Sequence, residues 1–497
     1  MYRPYAVSAA YRGGNDPGGR FMKLGVNRAS AIALGVLILI GPSAAGAADD
    51  LQSLRSEIEG LKKELREFKE AQRTAPPAMQ APAKSPAGPG DLSTTVLGAT
   101  VTLYGTINAD AGTVERTGAT VSTNGLNSMV GAPGLTPVNV FSRSVLRSNS
   151  TNFGIRGTRD IGGGLKAVFQ VESGYSSDGG AGTLAGRDTF VGLAGNFGTL
   201  LYGGNIDSPY KRSVQGKDPF FATGIATQKG ILGSPGFNVA SVNAVAGSTV
   251  GGNAAGAQQQ NAGFDARQNN VVIYRSPVFS GFAGEVSYGM NEQKSSGGIN
   301  PTVLSAQVRY ERGPWFASYA YEEREDVFGL NSLLTFVPGS GSTGALFVPS
   351  AGANSKDSAN KVGVGYKLFS STELLLVWEN LKYTTNTGTM REFERDAWVG
   401  SINHRMGRHR AILSYSKADE GSCSLASGAA CSTRGLGAEQ WAAGYVFDLD
   451  AMTSLYAFWT QIRNDEAAAY NFGVSGAPAA GVGADPQALA LGIRYRF

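Results

Sequence analysis

Between Ala99 and Phe497 apolar and polar side chains alternate in short runs, joined in turn by tight turns and by long polar connections. At the carboxyl end Leu489, Leu491, Ile493, Tyr495 and Phe497 fall on one face, and Ala488, Ala490, Gly492, Arg494 and Arg496 on the other. A strand sends alternate side chains to opposite faces, so this segment has one greasy and one polar side. Leu304, Ala306, Val308 and Tyr310 likewise oppose Ser305, Gln307, Arg309 and Glu311, and Val362, Val364, Tyr366 and Leu368 oppose Lys361, Gly363, Gly365 and Lys367. Strands are predicted to begin near Ala99, Thr151, Leu165, Arg187, Thr199, Asn269, Gly281 and Val303. Eight more begin near Trp315, Lys361, Glu373, Arg395, Arg410, Glu439, Thr453 and Ala488. Two-faced strands of roughly 9–11 residues suit lipid outside and water inside. The predicted fold class is all-β, a 16-stranded antiparallel transmembrane β-barrel over 99–497. An even count leaves both ends on the side of the short turns at 160–164, 196–198, 312–314 and 447–452.

The first 98 residues follow other patterns. Lys23 and Arg28 precede an apolar stretch from Ala31 to Ile40, too short to span, and Ala45-Gly46-Ala47 matches a small-x-small cleavage site. Residues 1–47 therefore read as a leader and signal peptide with its true start at Met22. Residues 1–21 are an upstream start-site miscall or, alternatively, part of a long basic leader. Within 48–73, Leu51, Leu54, Ile58, Leu61, Leu65 and Phe68 recur at alternating spacings of 3 and 4, the seam of a coiled-coil helix. About three heptads are marginal for a lone helix. Self-association in the periplasm is one reading; a helix lying against the barrel, or undocked, is the other. Residues 74–98, with Pro76, Pro77, Pro82, Pro86 and Pro89, read as a semi-extended linker.

Charge and chemistry narrow the class further. The chain carries 43 Lys and Arg against 39 Asp and Glu. Arg3, Arg12, Arg20, Lys23 and Arg28 lie in residues 1–47 against Asp16 alone, so the remainder is formally neutral. A basic nucleic-acid surface has no support. His404 and His409 flank a predicted turn and make a poor metal pair. No nucleophile–base set is suggested, so no enzyme, cofactor or metal is expected. Cys423 and Cys431, the only two cysteines, read in an exported chain as one loop disulfide, free thiols being the alternative.

The longest connection runs from about Ile206 to Gln268, and loops beyond about 15 residues are usually functional or disordered. Its first half, with Asp207, Lys211, Arg212, Lys217 and Asp218, is expected to fold into the lumen. Val239 to Gly263, rich in Gly, Ala and Asn, is expected to stay outside.

Several stretches together resemble the trimeric 16-stranded porins of Gram-negative outer membranes. They are Thr102-Leu103-Tyr104-Gly105-Thr106, Asn152-Phe153-Gly154-Ile155-Arg156-Gly157, and Gly163 through Ser173. Arg187 through Leu193, Asn196-Phe197-Gly198-Thr199, Tyr274 through Phe282 and the terminal Phe497 continue the match. The resemblance implies a water-filled pore narrowed by its third loop against a ladder of basic side chains. Arg187 and Arg267 match ladder members, Arg156 and Lys166 fall beside them by alternation, and Asp218 is the implied opposing carboxylate. Each basic residue also has a plainer reading as a rim charge or turn residue. Asn152 stands where some relatives carry a ladder arginine, which weakens the ladder, and Arg159 adds charge where an acid is common. A homotrimer, surrounding lipid and lipopolysaccharide, and barrel assembly machinery taking Tyr495 and Phe497 of the last strand as its signal are implied partners. The function implied is passive diffusion of small hydrophilic solutes and ions, with mild anion preference. A channel specific for one small organic anion and a barrel adhesin are the alternatives.

Overall fold

The computed structural model describes residues 59, 63, 92–119, 139–180, 182–236, 250–251, 263–290, 292, 294, 300–327, 355–386, 390–428, 431–472 and 483–497. The expected signal peptide, the expected heptad seam and most of 239–263 lie outside the described residues; of the segment expected to carry the seam, only Glu59 and Lys63 are described, both helical.

Alternation with turn chemistry builds one closed antiparallel barrel of 16 strands. The first five are β1 (Ala99–Thr117), β2 (Val140–Ser148 continued by Asn152–Gly162), β3 (Leu165–Tyr175), β4 (Thr189–Gly195) and β5 (Gly198–Gly204). Then come β6 (Val271–Arg275), β7 (Phe282–Gly289), β8 (Thr302–Arg312), β9 (Trp315–Glu325), β10 (Ser355–Leu368) and β11 (Thr372–Thr385). The wall finishes with β12 (Met390–Met406), β13 (His409–Ala418), β14 (Ala438–Asp448), β15 (Thr453–Asn464) and β16 (Asp485–Arg496). Each strand pairs with its neighbours in sequence. Closure comes from β1 and β16, in register from Thr106↔Arg496 to Thr117↔Asp485. A closed sheet leaves no bare edge in lipid, where an unpaired backbone group would be costly. Outward side chains such as Leu491 (60% exposed) and Ile493 (46%) face away from the lumen, while Ala488 and Ala490 beside them are buried.

The ends of the wall differ from the sequence expectation in three places. β2 begins at Val140, not near Thr151. Three residues, Asn149 to Thr151, face two on β1 between the pairs Ser148↔Ala109 and Asn152↔Thr106. Such a bulge reverses which side chains point inward, so Arg147 and Arg156, of opposite parity in sequence, both face the lumen. Strands β10 and β12 begin about five residues earlier than the apolar alternation indicates.

The third difference is a strand inside the predicted linker. Leu92–Val96 pairs with the base of β1, Leu92↔Leu103 to Val96↔Ala99, through a turn at Leu97 and Gly98, both with positive φ. It takes the place beside β1 that opens below Phe497, whose backbone exchanges hydrogen bonds with Gly105. A Cβ on Gly105 would lie 2.5 Å from the Phe497 ring, so glycine is what lets that terminal aromatic lie over the seam.

Candidate functional site

The chain leaving β5 enters the barrel at once. Ile206–Asp207 pairs with Arg267–Gln268 on the returning limb, which clips the two ends of the long connection together. Ser208 then caps a helix, its side chain accepting from Lys211 N at 3.2 Å, and Pro209 supplies a first turn that needs no donor. This helix, α1 (Pro209–Gln215), lays Val214 against Gly363 of β10, where a Cβ would come within 2.6 Å of the valine. Further on, Phe220 packs edge-on against Phe458 of β15, with ring centres 5.2 Å apart, over Gly444 of β14. Inward glycines thus make room for the loop's apolar anchors. The inward folding expected from Ile206 is what the structure has.

A buried polar hub fixes the far side. Glu379 of β11 accepts from Tyr210 Oη at 2.8 Å and Gly233 N at 2.8 Å, and pairs with Arg395 at 3.1 Å and Lys361 at 3.3 Å. Lys361 also reaches Asp265 at 3.0 Å, and Arg395 donates to Ser234 O at 3.0 Å. These groups are removed from water, so each charge requires its partner.

Opposite the hub, loop and wall meet in a band of alternating charge. Arg187 pairs with Glu172 of β3. Asp188 receives Arg267 and, at 3.1 Å, Arg212. Asp207 lies 2.6 Å from Lys211 and 3.3 Å from Arg267. Arg275 and Glu285 close the band at 2.8 Å. Burial alone would raise the Asp207 carboxyl, yet Lys211 and Arg267 hold it well below the usual carboxylate range. Lys229, partly exposed, makes no ion pair among the described residues; burial and then Lys211 draw its ammonium down to about 8.

The expected residues divide. Arg187, Lys211, Arg212, Arg267 and Asp207 come together in the band. Arg156 lies just beside it, its guanidinium 4.7 Å from the Tyr104 ring, whose hydroxyl donates to Glu172 at 2.9 Å. Lys166 does not join. It sits on the same face as Glu172 but roughly 20 Å along the strand, near the short-turn end. Asp218 pairs with no arginine among the described residues: it accepts from Phe220 N at 3.0 Å, Thr227 Oγ1 at 2.7 Å and Gln228 N at 3.1 Å, which ties the loop to itself. Burial pushes its carboxyl pKa up.

Besides Asp207, the acids that oppose the arginines are Glu172, Asp188 and Glu285, and Arg275 joins them; sequence reasoning passed over these four. Inward parity was the available signal for Glu172 and Glu285. Away from the band, His404 bonds Thr372 at 2.7 Å and His409 bonds Tyr445, so both rings serve their strand neighbours. Cys423 and Cys431 are joined, with Cα atoms 5.7 Å apart.

Known proteins share this architecture. The chain is 25% identical over 404 residues to outer membrane porin protein 32 of Delftia acidovorans, across 80% of this chain and 94% of that one. Over 230 residues it is 31% identical to major outer membrane protein P.IB of Neisseria gonorrhoeae, covering 45% of this chain and 51% of that protein. Among solved structures, the anion-selective porin from Comamonas acidovorans shares the fold with a TM-score of 0.58 at 22% identity, over 80% of this chain and 100% of that one. Because the profile of the Gram-negative porins also matches residues 74–467, the chain belongs to that family and is an outer-membrane channel.

Proposed function

We propose that this porin passes small hydrophilic solutes and ions by diffusion, with a mild preference for anions set at the charged band. The observation that carries the reading is the balance of that band. Arg187, Lys211, Arg212, Arg267 and Arg275 stand against Glu172, Asp188, Asp207 and Glu285, and Lys229 adds a cation that makes no ion pair among the described residues. A narrow passage between low-dielectric walls focuses such an excess and concentrates the opposite ion. The name of the Comamonas protein as anion-selective is consistent with this reading. Being a channel of this family, the chain is not an enzyme.

The finer parts of the reading are a homotrimer, a periplasmic coil over 48–73, export through a signal peptide ending at Ala47, and a last strand handed to the assembly machinery. Surrounding lipid and lipopolysaccharide contact the outer face. The reversal potential across a KCl gradient tests the preference. Arg187→Ala and Arg267→Ala are expected to move it towards cations, because each removes one positive charge from the band and leaves its carboxylates in place. Reversal potentials unchanged in both variants would place these arginines outside the ion path.

A further inference from the structure

The short-turn mouth carries a second group of basic side chains that the band does not use. Arg405 near the end of β12, Arg410 at the start of β13, and Arg494 and Arg496 on β16 occupy inward positions of their strands. Among the described residues one carboxylate pairs with two of them. Asp448 of β14 lies 2.9 Å from Arg405 and 3.2 Å from Arg410, and accepts from Ser454 Oγ at 2.7 Å. Arg496 donates to Ala451 O at 3.0 Å. The Arg494 side chain has neither ion pair nor hydrogen bond among the described residues, and its Nε, like that of Arg410, is shielded without an acceptor.

The lumen loop presses on this group from above. The guanidinium of Arg494 lies 4.5 Å from the centre of the Phe221 ring, and that of Arg410 lies 5.5 Å from the same centre. Phe221 and Ala222 hold φ of 65° and 55°, values that such residues keep only where their surroundings fix them. Tyr456 and Phe458 pack on Phe221 at 5.7 and 5.6 Å and help to fix it. The ring thereby positions both guanidinium groups and shields them from water. Asp448 pairs with two of the four guanidinium groups, which leaves an excess of positive charge and unused donors in a half-desolvated corner. Guanidinium forks match oxyanions, which accept two parallel hydrogen bonds.

We propose that Arg410 and Arg494, backed by Arg405 and Arg496, form an anion-binding station at the short-turn mouth for a tetrahedral dianion of the inorganic sulfate or phosphate type. The station deepens the proposed anion preference and rests on it for the delivery of anions, but its residues lie on β12, β13 and β16, apart from the band. An anion that has passed the loop would pause there before leaving.

Sulfate tests this in the full-length protein in planar bilayers, added at fixed KCl to either side. Wild type is expected to lose chloride conductance in a sulfate-dependent way. Arg494→Gln and Arg410→Gln should each raise the half-blocking concentration about tenfold, the loss of one good charged hydrogen-bond pair, while the KCl reversal potential keeps its sign. Arg494→Lys keeps the charge, loses the fork and should fall between the two. Equal block in wild type and both Gln variants overturns the station, as does an anion-selective wild type that sulfate leaves unblocked. A cation-selective wild type that sulfate still blocks through Arg494 refutes the charge reading of the band and leaves the station standing.

Discussion

Glu379 gathers Tyr210, Gly233, Lys361 and Arg395 in one place fully shut from solvent. Truncation to alanine would strand Arg395, whose side chain is 0% exposed, and leave Lys361 with Asp265 alone. Removing one partner of a buried ion pair costs about 3–5 kcal/mol, and the carbonyl contacts of Arg395 argue for the lower end. Glu379→Ala is therefore expected to melt earlier and to conduct with added current noise at unchanged strand content. Wild-type melting with a quiet current would show that the loop is held elsewhere. Lys229 gives a second residue-scale prediction. Its folded-state pKa, about 8, lies below the usual lysine value, so its charge is present below that pH and lost as pH rises through it. Anion preference should fall between about pH 7 and pH 9, well before ordinary lysines titrate, and should persist in Lys229→Arg. A flat profile in wild type would remove Lys229 from the ion path. Alternation told which of these side chains face the lumen, and the family motif singled out Arg187 and Arg267. It could not tell the level at which each sits. Lys166 has the right face and the wrong height, and Asp218 turned inward on its own loop because three donors, Phe220 N, Thr227 Oγ1 and Gln228 N, lie within two to ten residues of it.

At the scale of elements, the loop and the wall were shaped for each other through missing side chains. A Cβ on Gly363 would meet Val214 at 2.6 Å and Ser318 Oγ at 2.9 Å. Gly363→Val should therefore push α1 off β10 and carry Lys211 and Arg212 with it. Overpacking of this kind costs about 1–3 kcal/mol. The expected result is a folded barrel of altered conductance and weakened anion preference; a variant that conducts like wild type would mean that the helix does not set the opening. Most strands were legible because lipid and water impose opposite demands on neighbouring residues. Legibility failed where that demand lapses. Ser355 to Asn360 and Met390 to Glu394 extend their strands beyond the apolar alternation, so polar residues occupy both faces. Val140–Ser148 was missed for a different reason: the bulge at Asn149 to Thr151 reverses parity, and two alternations of opposite phase do not read as one strand. The edge strand Leu92–Val96 is five residues long and follows a proline-rich stretch, and its partner is a bare backbone edge that no sequence pattern displays.

For the whole molecule, the question is what holds one barrel to another. The proposed trimer rests on the resemblance to the family, and the expected heptad seam is a separate reason to propose self-association. Leu51, Leu54, Ile58, Leu61, Leu65 and Phe68 would all stay wet on a lone helix. Bringing three such seams together is favourable at about 25 cal/mol per Å² of apolar area, and tethering to neighbouring barrels raises their effective concentration. Mixed Ile and Leu at the seam do not select a strand number by themselves, so the barrels would set it at three. Deleting residues 49–90 keeps Leu92–Val96 to cover the base of β1, and each barrel retains its closure between β1 and β16. The truncated protein is expected to remain a conducting trimer that dissociates at lower temperature or detergent strength than the full chain. Equal resistance in the two proteins would show that the coil adds nothing to assembly. An intact protein that runs as a monomer in mild detergent, with no helical signal lost on truncation, would defeat both the trimer and the coil.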